Sequence, residues 1–332
     1  MRQSVSPGLS RRGKTFWKGE GAILLCALFW STSGLFIKLL DWHPVVIAGT
    51  RSFVAFLFML AVRSVFPPKT GGKNTFPFWA GAASYTLTML TFVTANKMTA
   101  PANAIMLQYS APVWAGLLGW ILLKEKPRRE HWGALVLVMA GMALFFGDGL
   151  KGGSFAGDAL AVFSGISFGA HSVFLRMMKD GSARDSLLMA HALCAVFCIP
   201  LVFLYPPALS VSTVLPMLFM GVVQIGMASI LFSYGIKRIN ALEAMLTAML
   251  EPVCNPVWVF AVTGEKPSLR AVLGGIIIIA AVAASSIIGK RRTALQYEHR
   301  VAVAEKTIAF PDGFGVTFKD KIQPGKGRDK HE

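Results

Sequence analysis

Residues 250–267 read LEPVCNPVWVFAVTGEKP, a carboxylate, an asparagine and two mid-run prolines set into an otherwise apolar run. A shift of 140 residues overlays segment 81–127 on 221–267 without a gap. Gly81 meets Gly221, Phe92 meets Phe232, Lys97 meets Lys237, and Ala104 meets Ala244. Apolar chains match one another cheaply, so the weight rests on two features at equal spacing: Pro112-Val113 on Pro252-Val253, and Glu125-Lys126-Pro127 on Glu265-Lys266-Pro267. A weaker shift of 138 lays Gly19-Glu20 on Gly157-Asp158 and Lys38 on Arg176. The chain is an internal duplication.

What surrounds that duplication is hydrocarbon-compatible sequence. With 54% hydrophobic and 15% charged residues, against about 25% charged in ordinary soluble domains, the composition is that of a membrane protein. Ten windows of about 20 apolar residues, each long enough to cross a bilayer, recur at roughly 19–40, 43–65, 76–96, 100–123, 130–147, 156–178, 184–205, 213–236, 240–263 and 269–289. Short connectors such as PPKTGGKN (67–74), KEKPRRE (124–130) and DGLKGGS (148–154) make neighbours antiparallel. A large soluble helical protein would need polar faces that these windows lack. The first window is too long for a signal-peptide core and no A-x-A site follows it, so it reads as a span.

Lys and Arg collect in cytoplasmic loops. With the N-terminus inside, the inner set holds Arg11, Arg12, Lys14, Lys18, Arg63, Lys69, Lys73, Lys124, Lys126, Arg128, Arg129, Lys179, Arg184, Lys237, Arg238, Lys290, Arg291 and Arg292. The outer set holds only Lys38, Lys97, Lys151, Lys266 and Arg270. Both termini are then cytoplasmic, in a multi-pass protein of the cell (inner) membrane. The net charge of +16 is met by anionic headgroups, with no call for nucleic acid. The fold class expected is an all-α integral membrane protein of ten transmembrane helices, built as two inverted five-helix repeats. Five is an odd number, so the second copy inserts upside down, the arrangement that lets two halves exchange roles in alternating access. The domains are a basic N-terminus (1–18), a first repeat (19–147), a second repeat (156–289) and a charged, disordered cytoplasmic tail (290–332).

Proline removes an N–H and displaces the carbonyl four residues earlier, so Pro252 and Pro256 should loosen the helix and turn it toward the protein interior. Glu243, Thr247, Glu251 and Asn255 recur every four residues, along one slowly rotating face. A mid-membrane carboxylate costs at least about 2.5 kcal/mol. Glu251 is therefore a candidate for substrate or proton contact, or else a brace between helices. Glu243, nearer the membrane surface, can snorkel. Gln108 and Tyr109, just before Pro112, can line the same cavity from the other repeat. Tyr85, with Thr88 and Thr91, and Gln224 offer polar groups that helix-to-helix bonding would explain equally. Trp30 and His171 are candidate cavity walls, and His191 reads as a packing residue. Arg51 is either a buried cation for an anionic group or a structural partner for a carbonyl or acid, and Glu125 and Glu265 end their spans as gating or capping groups. Spans 5 and 10 lack polar groups at mid-depth and should be scaffold or a dimer surface.

No P-loop, GxGxxG, HExxH or nucleophile-elbow pattern occurs, so no enzyme chemistry, cofactor or metal is expected. The four cysteines lie in apolar spans and behave as small hydrophobic residues. Arg51, APANAIMLQYSAPVWAGLLGWILLKEKP (100–127), HWGALVLVMAGMALF (131–145) and INALEAMLTAMLEPVCNPVWVFAVTGEKP (239–267) resemble the EamA branch of the drug/metabolite transporter superfamily over residues 19–289. That resemblance implies a ten-span secondary transporter with a central cavity, often an exporter of amino acids or related metabolites. Its partners would be the lipid bilayer, a small-molecule substrate and protons, and it would act as a monomer or homodimer. The rival readings are a sugar-phosphate or nucleotide-sugar carrier of the same superfamily and an intramembrane lipid-modifying enzyme.

Overall fold

The computed structural model describes residues 7–38, 40–67, 75–150, 154–178, 182–264 and 266–308. Glu265 and residues 309–332 of the tail lie outside them. All regular structure among the described residues is helical. The first half comprises α1 (Pro7–Ser31), α2 (Ser33–Lys38), α3 (Pro44–Val65), α4 (Phe76–Met98), α5 (Pro101–Gln108), α6 (Ala111–Leu123) and α7 (Arg129–Phe146). The second comprises α8 (Phe155–Met177), α9 (Ala183–Leu204), α10 (Val211–Phe219), a π-helical segment (Met220–Met227), α11 (Ala228–Gly235), α12 (Ala241–Ala248), α13 (Leu250–Thr263) and α14 (Leu269–Ile308).

Pro252 loosens its helix as expected, and Pro112, its counterpart in the first repeat, does the same. Pro112 has no N–H for the carbonyl of Gln108, and the chain breaks at Tyr109 and Ser110, between α5 and α6. Pro252 has none for Ala248, and the chain breaks at Met249, between α12 and α13. Three-residue bonds tighten both breaks, Ser110 N to Leu107 O and Met249 N to Leu246 O, each at 3.1 Å. Pro256 differs, since α13 runs through it unbroken. Both second halves end in a left-handed residue 140 positions apart, Lys124 at φ 59° and Gly264 at φ 73°. Glycine takes that conformation freely, whereas lysine takes it against its Cβ.

Connector contacts fall into two separate sets. At one end Arg63 Nε lies 3.2 Å from Asp185 Oδ1, Arg184 donates to Phe66 O at 2.9 Å, and Arg176 bridges Glu125 and the carbonyl of Ile236. At the other end Trp42 Nε1 donates to Ala208 O at 3.1 Å, His43 stacks on Tyr205, Thr99 donates to Asp158, and Arg270 pairs with Asp148. The α5–α6 span therefore runs from the second end to the first, and the α12–α13 span from the first to the second.

Among the described residues, eight stretches are long and apolar enough to cross a membrane: 44–65, 101–123, 129–146, 155–177, 183–204, 211–235, 241–262 and 269–288. The two other expected windows, 19–40 and 76–96, are helical without meeting that measure. The first is interrupted at Thr32 after only part of its length, and α4 carries Ser84, Tyr85, four threonines, Asn96 and Lys97. Both pack inside the bundle, α4 against α8 and α9, and α1 against α11 to α14. The tail expectation needs correction, because α14 continues as helix through Ile308 instead of ending near Gly289.

Spans 5 and 10, here α7 and α14, lie against each other at Gly141 and Gly274. A Cβ on Gly274 would stand 2.5 Å from Gly141 O and 2.6 Å from Phe145 N. Backbone cannot yield there as a side chain could. Gly274→Val should lower the thermal unfolding temperature of the purified protein in detergent, with a cost of about 1–3 kcal/mol; an unchanged melting curve would show that the helices separate freely.

Candidate functional site

The two breaks meet. Tyr109 and Met249, equivalent positions of the repeat, pack in one buried group with Leu242, Leu246 and Val138. Breaking the helix just there starts a new N-terminus in mid-bundle, and Glu251 occupies the first turn of α13, at the positive end of the half-helix dipole. The Tyr109 phenol interacts with its carboxyl, and the Arg51 guanidinium acts on it from α3. Arg51 reaches Met89 Sδ at 3.8 Å through one terminal nitrogen, while its buried Nε has no hydrogen-bond partner.

Around this pair stands a wall of rings. Tyr85 of α4 lies between His171 of α8, with centroids 4.8 Å apart, and His191 of α9, at 5.3 Å. Phe232 is stacked against His171 and lies 5.5 Å from the Trp30 ring, which also meets Phe168. His171 Nδ1 donates to Gly81 O at 2.9 Å. A carbonyl only accepts, so in the neutral ring Nε2 carries a lone pair. His191 Nε2 bonds Ser229 Oγ at 2.9 Å. Gln224, in the π-helical segment, donates to Trp30 O at 3.4 Å. Five atoms here are buried without a hydrogen-bond partner: Arg51 Nε, Ser52 Oγ, His171 Nε2, His191 Nδ1 and Gln224 Oε1. Leaving such groups unpaired costs roughly 1–3 kcal/mol each. Their concentration around the Tyr85 and Trp30 rings marks a place that water or a polar ligand can satisfy.

Of the residues singled out in the sequence, Glu251, Tyr109, Tyr85, Trp30, His171, Gln224 and Arg51 thus come together. Asn255 is half-buried one turn beyond Glu251. Gln108 turns away to Ser164 Oγ at 2.9 Å, and that hydroxyl donates to Thr88 O, a helix-to-helix link. Thr247 also leaves the group, since its hydroxyl donates to Glu20 at 2.7 Å. The expected polar stripe is therefore split by the break at Met249, with Thr247 and Glu243 facing α1, α7 and α14. Glu125 pairs with Arg176 at 3.0 Å and lines a cleft with Gly116, His131 and Asn240.

Glu243 does not snorkel. It is 9% exposed, caps α12 through a bond from Asn240 N, and faces His131 Nε2 at 3.4 Å. The residues not foreseen are Glu20, Ser52 and His191. Glu20 stands at the start of an apolar run, and the only sequence signal it carries is the overlay of Gly19-Glu20 on Gly157-Asp158; a lone histidine in an apolar helix carries no signal distinguishing packing from a site.

Residues 17–147 and 155–287 each match the EamA-like transporter family. The chain belongs to that family. It is a multi-pass membrane transporter of the drug/metabolite transporter superfamily. It is 27% identical over 278 residues, 78% of this chain and 92% of the other, to the uncharacterized transporter YwfM of Bacillus subtilis (strain 168). An uncharacterized transporter of Archaeoglobus fulgidus is 26% identical over 80% of this chain and 94% of its own. Solute carrier family 35 member G1 of Homo sapiens is 29% identical over 50% of this chain and 49% of its own. A protein solved by crystallography shares the fold, with a TM-score of 0.70 at 19% identity over 84% of this chain and 98% of the other.

His131→Ala should destabilise the folded protein by roughly 1–3 kcal/mol, because the Glu243 carboxyl is left buried without its ring partner. Adding Glu243→Gln should recover part of that loss in thermal unfolding. Strict additivity of the two changes would show that the groups do not interact.

Proposed function

We propose that this protein is a secondary transporter that moves a small polar or amphipathic metabolite, such as an amino acid or a related compound, outward across the cell inner membrane. Two inverted five-span halves, ten spans in all, would alternate about the site. The observation that carries this reading is the approach of the two proline-broken spans, which sets Tyr109 against Glu251 within the electrostatic reach of Arg51, with unpartnered polar atoms in the same bundle. The opposite directions of α5–α6 and α12–α13, and their breaks 140 residues apart, support the inversion. Irregular backbone at membrane depth is tolerated where it lines a cavity.

The basic residues orient the molecule. The end that holds Arg63, Glu125, Arg176 and Arg184 is the cytoplasmic one on this reading, and both termini lie there. Energy would come from the substrate's own gradient or from protons. An acid within the electrostatic reach of Arg51 favours a substrate with a cationic as well as an anionic group and disfavours the phosphates of a sugar-phosphate carrier, which Glu251 would repel.

Purified protein in liposomes should accumulate or release one of a panel of radiolabelled amino acids and organic anions. Glu251→Gln should slow that movement about tenfold or more, the loss of one charged contact of roughly 1.5–3 kcal/mol. Transport unchanged across pH in Glu251→Gln would make the carboxyl a brace. Arg51→Ala should weaken substrate affinity and Arg51→Lys should restore part of it, because the ammonium keeps the charge but not the planar fork; equal affinities in both variants and wild type would remove Arg51 from the site.

A further inference from the structure

The carboxyl of Glu20 takes no part in the site around Glu251. It is 6% exposed on α1, where that helix meets α12 and α14. Thr247 Oγ1 of α12 donates to Oε1 at 2.7 Å, and Ser286 Oγ of α14 donates to the same oxygen at 2.5 Å. Oε2 is buried and has no hydrogen-bond partner. The carboxyl of Glu243, one turn earlier on α12, acts on Glu20 as a like charge.

Among the described side chains, the other charged groups on the packed elements are the exposed Lys18 of α1, Arg129, Glu130 and His131 of α7, Arg238 after α11, Glu251 of α13 and Arg270 at the opposite end of α14. Arg238, beside Gly19 at the end of α11, lies with its guanidinium over the Tyr234 ring. Glu251 of α13 faces Cys26 further along α1. His131 of α7 reaches Glu243. The π-helical segment presents neutral Gln224 to Trp30, and α14 presents the neutral hydroxyls of Ser285 and Ser286 at this level.

Burial itself disfavours the charged form of the Glu20 carboxyl, and the like charge of Glu243 adds to that in the same sense. A metal ion would need several oxygens converging on it, yet both hydroxyls converge on Oε1 and none on Oε2. A proton needs only one lone pair. We propose that Glu20 is a proton-binding site of the transport cycle: Oε2 takes a proton from the external aqueous phase, forming an O–H bond, and releases it to the cytoplasm as substrate leaves. Ionised Glu20 holds Thr247 and Ser286 by charge-assisted bonds, about twice as strong as neutral ones, and so pins α12 against α1 and α14. Protonation weakens both bonds and releases the half-span that leads into the Met249 break. The coupling differs between states, as any ion-driven shift requires.

The binding step can be tested without a substrate and independently of the transport reading, on which only the flux step rests. The full-length protein in lipid is taken through a pH change, with protons as the probe, and infrared difference spectra are recorded. A protonated-carboxyl band should appear on acidification, vanish in Glu20→Gln, and shift in frequency in Thr247→Val and Ser286→Ala. In Glu243→Gln its midpoint should move. A band that persists unchanged in Glu20→Gln overturns the proposal. Should that variant not fold, a band unmoved by both Thr247→Val and Ser286→Ala overturns it equally.

In the flux arm, liposomes loaded with a pH dye are given whichever amino acid the wild type moves. Proton movement opposite to substrate should occur and be lost in Glu20→Gln. Substrate movement without protons in the wild type overturns the coupling and leaves the transport reading intact. A Glu20 band without movement of any panel compound supports the proton site and tells against the transport reading.

Discussion

A proline inside a helix leaves one carbonyl without its donor, and in hydrocarbon there is no water to supply one. Of the prolines set within its spans, two at equivalent positions of the repeat, Pro112 and Pro252, break the chain in mid-bundle, and the arrangement of the site follows from them. Each break has to be covered by protein, so each draws its span into the middle of the bundle, and the two breaks pack on each other through Tyr109 and Met249. Each also creates a helix N-terminus at depth. That is where a carboxylate such as Glu251 is least costly, because the half-helix dipole, the Tyr109 phenol and the field of Arg51 offset part of its desolvation.

The rest of the structure protects that arrangement. α7 and α14 close over the crossing with backbone-to-backbone contact at Gly141 and Gly274, a rigid flank presenting aliphatic residues outward. α4, too polar to register as a span by hydropathy, is instead the element that carries Tyr85 and accepts Ser164, Ser186 and His171 on its carbonyls. Its hydroxyls and carbonyls are satisfied by neighbouring helices, so its polarity costs little inside the bundle and would cost much against lipid. The π-helical segment at Gln224 adds a register change in the second half at the corresponding level, of the kind that recurs at functional sites.

The buried acids divide the molecule into two polar centres along a single broken span. Glu251, after the break, faces Tyr109 and Arg51; Thr247 and Glu243, before it, face Glu20 and His131. A straight helix would have laid all of these on one face. The kink separates them, so the two halves of the span answer to different partners, one at the break and one nearer the end that holds Glu125 and Arg176.

Much of this was legible in the residues alone. Hydropathy windows, the spacing of two prolines and the asymmetry of lysine and arginine are local or periodic quantities, and they determined the helical class, the duplication, the break points and the candidacy of Glu251, Tyr109, Tyr85, Trp30, His171 and Gln224. Which face each side chain presents was decided only by tertiary packing. Gln108 and Thr247 have the chemistry of cavity residues but are held by Ser164 and Glu20, partners 56 and 227 positions away. Glu20 and His191 look like a terminal charge and a packing ring until α12, α14, α9 and α11 are folded against them. The physical reason is that a polar group in a membrane takes its meaning from whichever partner relieves its desolvation, and no pattern along the chain names that partner.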